Sequence, residues 1–131
     1  MKRELETKQQ IADISKELQN KSYPEIKSWI LDKKEKGDQY YKEKKFDEAT
    51  AIYLKGLMGL SSGTKEETKK LADEFMAKLT LNMAMSELEA NRGRKALILA
   101  TNVIKREPNN PLGYFRKGVI CDRLEEFEFA L

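Results

Sequence analysis

Residues 77–110 read AKLTLNMAMSELEANRGRKALILATNVIKREPNN, and Pro111 follows. Small residues stand at Ala84 and Ala96, and a proline at 108. Moved on by 34 residues, the same small pair falls on Gly118 and Ala130, in a segment that starts at Pro111. Counted from a start at Ile30, it falls on Gly37 and Ala49. A fixed period of this length marks stacked helix hairpins. The small residues let two antiparallel helices approach closely, and larger neighbours fill the gaps between. The expected fold is therefore all-α, a helix–turn–helix solenoid with units starting near residues 30, 77 and 111, and residues 1–29 form a helical extension before it.

Composition agrees. The 131 residues are one domain's worth, 40% hydrophobic and 36% charged, with three prolines and seven glycines. No run of about 18 apolar residues is present, so no membrane span is expected. The start, Met1-Lys2-Arg3-Glu4, lacks the apolar stretch of a signal peptide. One cysteine, Cys121, excludes an internal disulfide and fits a reducing, cytoplasmic setting. A net charge of +3, from 25 basic and 22 acidic residues, gives no case for nucleic acid.

Outward from the central unit, the punctuation divides the chain. Ile11, Ile14 and Leu18 predict a helix from about Arg3 to Leu18. Ser22-Tyr23-Pro24-Glu25 opens the next helix, with proline in its first turn, and no turn signal interrupts it before Gly37. That helix ends near Lys44-Lys45, and a partner follows through Phe46, Ala49, Ile52, Tyr53 and Leu57. The first and second units start 47 residues apart, 13 more than the period. Thr64 and Glu67 form a capping-box pattern, and Leu71, Phe75, Leu79 and Met83 recur every fourth residue. One helix is therefore expected from about Lys65 to Ala90, roughly 38 Å long and projecting about three turns beyond the solenoid. Glu125-Glu126-Phe127-Glu128 is read as a solvated turn and the start of a further helix. The third unit is incomplete at Leu131, so the chain reads as a piece of a longer protein or as one that completes itself by dimerising.

The register resembles that of the tetratricopeptide repeat, with small residues at positions eight and twenty and a proline at its end. Tyr40 and Tyr53 fall at its positions eleven and twenty-four in the first unit. The resemblance implies a concave groove lined by the first helix of each unit. Leu31, Lys34, Glu35, Asp38 and Tyr41 would come from the first; Lys78, Leu81, Asn82, Met85 and Leu88 from the second; Leu112, Phe115, Arg116, Val119 and Asp122 from the third. Such a groove has an apolar centre and cations at one end, and it suits a peptide with apolar anchors and an acidic end. On the residues alone, the apolar members serve equally well as packing against neighbouring helices.

Lys34-Glu35-Lys36-Gly37-Asp38, Leu81-Asn82-Met83-Ala84 and Gly113-Tyr114-Phe115-Arg116-Lys117-Gly118 resemble segments of the chaperone-binding tetratricopeptide domains of co-chaperones and FKBP-type immunophilins. In that family five side chains clamp the C-terminal carboxylates of heat-shock chaperone tails ending Glu-Glu-Val-Asp. The resemblance gives Lys34, Asn82 and Arg116 that role here. It also exposes two departures: Asp38 stands where the family has Asn, and Leu112 where it has Lys. Asp38 adds a negative charge and can pair with Lys34 four residues earlier. Leu112 removes a cation. The peptide-binding set read from the sequence is thus Lys34, Asp38, Lys78, Asn82, Met85, Leu112, Phe115 and Arg116.

Enzyme chemistry is not expected in this chain. It contains no histidine, which excludes His-based acid–base catalysis and His metal ligation. Cys121 is read as an inert core thiol, no Gly-rich phosphate loop occurs, and no cofactor is implied. Two classes remain. One is an adaptor or co-chaperone module binding a protein or peptide partner. The other is the regulatory arm of a larger peptidyl-prolyl isomerase whose catalytic domain lies outside these residues. Basic residues are common enough, 25 of 131, that the Lys34 and Arg116 matches alone do not separate them; Asn82, a poor helix former, is the most telling match.

Overall fold

The computed structural model describes the backbone of residues 2–61 and 66–130, with the side chains of 6–61, 66 and 69–125. Six helices follow one another: α1 (Lys2–Leu18), α2 (Tyr23–Lys42), α3 (Phe46–Ser61), α4 (Glu66–Glu89), α5 (Gly93–Arg106) and α6 (Pro111–Ala130). No strand occurs among the described residues. Each helix from α2 onward packs on the next, and α4 also touches α2 and α6. Facing residues run in opposite directions: a Cβ on Gly37 would meet Tyr53, one on Gly56 would meet Lys33, and one on Gly59 would meet Trp29. The result is an all-α solenoid of antiparallel hairpins.

Local chemistry sets the breaks. Ser22 caps α2 in a full capping box with Glu25, and Pro24 occupies the first turn. Lys44 and Asn91 adopt positive φ, 61° and 64°, at the turns after α2 and α4. The two are 47 residues apart, the same offset as the unit starts, so the hairpins turn at an equivalent place. Asn tolerates this left-handed conformation; Lys44 takes it at some conformational cost. At the second turn the Arg92 N–H donates to the Glu87 carbonyl at 2.8 Å. The Arg92 guanidinium holds Glu87 Oε1 and, across to α3, Asp47 Oδ1 at 2.7 Å. Glu87 is buried, so this pair fastens three helices at one point.

Two cores share α4 as a common wall. Leu71, Phe75, Leu79 and Met83 face a cluster with Ile30, Ala49, Tyr53 and Leu60 of α2 and α3. Ala77, Leu81, Ala84, Met85 and Leu88 face the other, with Ala96, Ala100 and Val103 of α5 and Ile120 of α6. Each fully buried Leu or Ile contributes roughly 1.5–3 kcal/mol. Ile14 and Leu18 of α1 cover Met58 on the outer side of the first core.

Three expectations change here. The long helix exists, over 24 residues, but it does not project. Leu71 and Phe75 are buried against α2 and α3, and Lys27 pairs with Glu74 at 3.6 Å. The apolar spacing that signalled a helix signalled a buried one. Its expected Thr64–Glu67 cap lies outside the described residues.

Second, α6 runs unbroken through residues 125–128, where a turn was read. No Gly, Asn or Pro interrupts that stretch, and nothing else stops a helix there. Ala130 therefore lies on the same helix as Gly118 rather than on a returning one, and a Cβ on Gly118 would meet nothing within 4 Å. Third, Cys121 is half-buried rather than a core thiol.

Candidate peptide cleft

The first helices of the three units, α2, α4 and α6, meet around an open cleft of about 290 Å³. Asp38, Asn82, Met85 and Arg116 line it, with Tyr41, Lys42 and Tyr53. The fold places them mechanically. Gly37 lets α3 come so close to α2 that the Tyr53 ring sits where a side chain at 37 would be. The next residue, Asp38, is then within reach of the Tyr53 hydroxyl. Asn82 and Met85 are three apart on α4, and Arg116 comes from α6.

Asp38 is the hub. Its Oδ2 lies 2.9 Å from Lys34 Nζ, one helical turn back. Its Oδ1 accepts from the Tyr53 hydroxyl at 2.5 Å and, at a longer 3.4 Å, from the Asn82 amide. Burial pushes the Tyr53 phenol well above its ordinary value, and the hydrogen bond to Asp38 and that carboxylate's charge add to the effect. Tyr53 is therefore a permanent donor near neutral pH. Burial also raises the Tyr41 phenol, and the Glu89 charge adds to this, while Arg116 and Arg123 oppose it. Arg123 is paired with Glu89 at 3.0 Å. No ion pair to Arg116 or Lys42 occurs among the described residues.

The eight residues singled out from the sequence divide accordingly. Lys34, Asp38 and Asn82 are joined by direct bonds, and Met85 and Arg116 border the same cleft. Lys78, Leu112 and Phe115 do not line it. Lys78 is exposed, with its ammonium 5.9 Å from the Phe75 ring centroid. Leu112 and Phe115 are 45% and 66% exposed on α6. The expected apolar centre is also smaller than the spacing implied, because Leu81 and Leu88 are buried in the second core. Lys42 and Tyr53 were missed. Tyr53 had a signal, the aromatic slot opposite Gly37 and beside Asp38; Lys42 had none.

No family model matches the chain. Over 133 residues and 91% of its length, the chain is 30% identical to peptidyl-prolyl cis-trans isomerase FKBP4 of Homo sapiens. It is 29% identical to the Mus musculus protein of that name and 26% to the Bos taurus one, again over 91% of the chain. This similarity and the all-α solenoid fit an interaction segment of an immunophilin-like protein. The chain spans 29% of the length of each of these relatives.

Proposed function

We propose that this chain is a tetratricopeptide-type interaction module that binds an acidic peptide segment in the cleft between α2, α4 and α6. The observation that carries this reading is a pair of cations in the cleft: Arg116 and Lys42, without ion pairs among the described residues, line it together with Asn82 and Met85. An arginine without a partner can hold a carboxylate with two parallel bonds, and Met85 offers adaptable apolar contact. The resemblance to co-chaperones makes a heat-shock chaperone tail ending Glu-Glu-Val-Asp the first peptide to try. The similarity to FKBP4 supports a second, compatible reading, in which the module is the regulatory arm of a longer isomerase.

The test is a fluorescence-anisotropy titration with a labelled peptide of that ending. Arg116→Ala should weaken binding by about tenfold, or roughly 1.4 kcal/mol. Equal affinities for wild type and Arg116→Ala would remove the cleft from consideration.

A further inference from the structure

A second recess lies away from the cleft. The helices α3 and α5 both run against α4 and flank it. Between them an open groove of about 580 Å³ is lined by Thr50, Leu54, Met83, Lys95, Ile98 and Leu99, together with the Arg92–Glu87 pair. On α4, Met83 and Glu87 turn toward this groove, while Asn82 and Met85 turn toward the cleft. Its walls carry apolar side chains in the open: Ile98 of α5 is 60% exposed and Leu54 of α3 is 40% exposed, with the buried Met83 between the two helices.

The charge beside this groove is one-sided. The helix α5 carries Arg94, Lys95, Lys105 and Arg106 and no acidic residue. Residues 95, 98, 99, 102 and 106 recur at helical spacing, so Lys95 and Arg106 lie on the stripe of α5 that bears Ile98 and Leu99. Lys95 makes no ion pair among the described residues, and the one Arg106 makes, to Asp73, is long at 3.9 Å. Glu87, which lines the groove, and Asp47 on α3 are both already held by Arg92.

We propose that this outer groove is a second docking site, and that its occupant is an acidic amphipathic helix of a partner protein. A helix laid between two others presents apolar anchors one turn apart, which cover Leu54 and Ile98 together. Carboxylates on either side of those anchors meet Lys95 and Arg106, roughly 16 Å apart along α5. A flat lipid surface would touch Leu54 and Ile98 but not the buried Met83 between them. The site is separate from the cleft, since it uses other residues on another side of α4.

The probe is a labelled peptide of about 15 residues, acetylated and amidated, with leucine at every third or fourth position and glutamate and alanine elsewhere. Its control replaces each glutamate by lysine. Both are titrated by fluorescence anisotropy against wild type, Ile98→Asp, Lys95→Glu and Arg116→Ala, with thermal melting to check that each variant is folded. Wild type should bind the acidic peptide at least about tenfold more tightly than the basic one. Ile98→Asp should weaken the acidic peptide by about tenfold, and Lys95→Glu by about fivefold. Equal affinity for the two peptides, or no saturable binding of the acidic one up to about 1 mM, overturns the proposal. A silent Lys95→Glu overturns it too, because the groove would then select no charge. An acidic peptide weakened by Arg116→Ala but not by Ile98→Asp has gone to the cleft, which also overturns it. Co-sedimentation with phosphatidylserine vesicles that Ile98→Asp abolishes, without peptide binding, assigns the groove to a membrane instead. Should Ile98→Asp fail to fold, Lys95→Glu and the pair of peptides decide.

Discussion

Gly37 does two jobs with one missing side chain. A Cβ there would overlap the Tyr53 ring, with Cδ1 only 2.6 Å away. The same close approach brings the Tyr53 hydroxyl to Asp38. Gly118 holds the equivalent place in the third unit, yet its surroundings are open. The two glycines should therefore respond oppositely to alanine. Gly37→Ala should cost roughly 1–3 kcal/mol through overpacking against a buried ring. Gly118→Ala should be neutral or should stabilise by about 0.5–1 kcal/mol, the ordinary gain of replacing a helical glycine. Urea denaturation of both variants measures this, and equal destabilisation would mean that the α6 face is covered after all. The sequence made the small residues legible, because close helix approach leaves few alternatives. It could not say what fills the space opposite. The Lys34–Asp38 pairing was readable from its spacing of four, whereas the hydroxyl of Tyr53 was not, since register fixes a ring's place and not the partner of its polar tip.

Among the elements, α4 carries most of the architecture. Its two apolar stripes face two different cores, which leaves only a narrow polar strip. That is why a spacing of four could announce the helix and still mislead about its exposure: periodicity reports which side is apolar, not how many neighbours it has. The turn from α4 to α5 depends on Arg92, whose guanidinium binds both Glu87 and Asp47. The Glu87 side chain is 7% exposed, so removing its cation leaves a buried charge unpaired. Arg92→Ala should lose roughly 1.5–3 kcal/mol. Arg92→Met combined with Glu87→Leu should recover most of it, because apolar replacement of both partners removes the desolvation penalty. Urea midpoints of the single and double variants check this; a double variant no more stable than Arg92→Ala would show that the turn needs the ion pair for its shape. The contrast with α6 is instructive. Residue 125, one period beyond Asn91, is a glutamate in continuous helix, and a repeat template alone does not supply a turn where the local residues favour helix.

At the scale of the whole molecule, the stacked helices bring residues far apart in sequence to one cleft, and two residues of the set read from the sequence depart from the pattern that the resemblance sets. Asp38 supplies an anion from within, and Leu112, 45% exposed on α6, lies off the lining altogether. The first departure engages the Lys34 ammonium and the Asn82 amide from within the protein. The second withholds a cation that a long side chain at 112 could bring toward Arg116, one turn further along the same helix. Reversing both, with Asp38→Asn and Leu112→Lys, should tighten binding of a free-acid Glu-Glu-Val-Asp peptide by about tenfold or more, on the order of 1.4 kcal/mol. The gain should be electrostatic. Raising salt from about 0.05 to 0.3 M shortens the screening length, so the double variant should lose a larger fraction of its affinity over that range than wild type does. Anisotropy titrations at the two ends of the range measure both effects. A gain in affinity without a steeper salt dependence would mean that the substitutions act by reshaping the cleft. No gain at all would mean that the cleft does not take a terminal carboxylate even when its own has been removed, and the apolar contact through Met85 would then be the place to look for the partner's anchor.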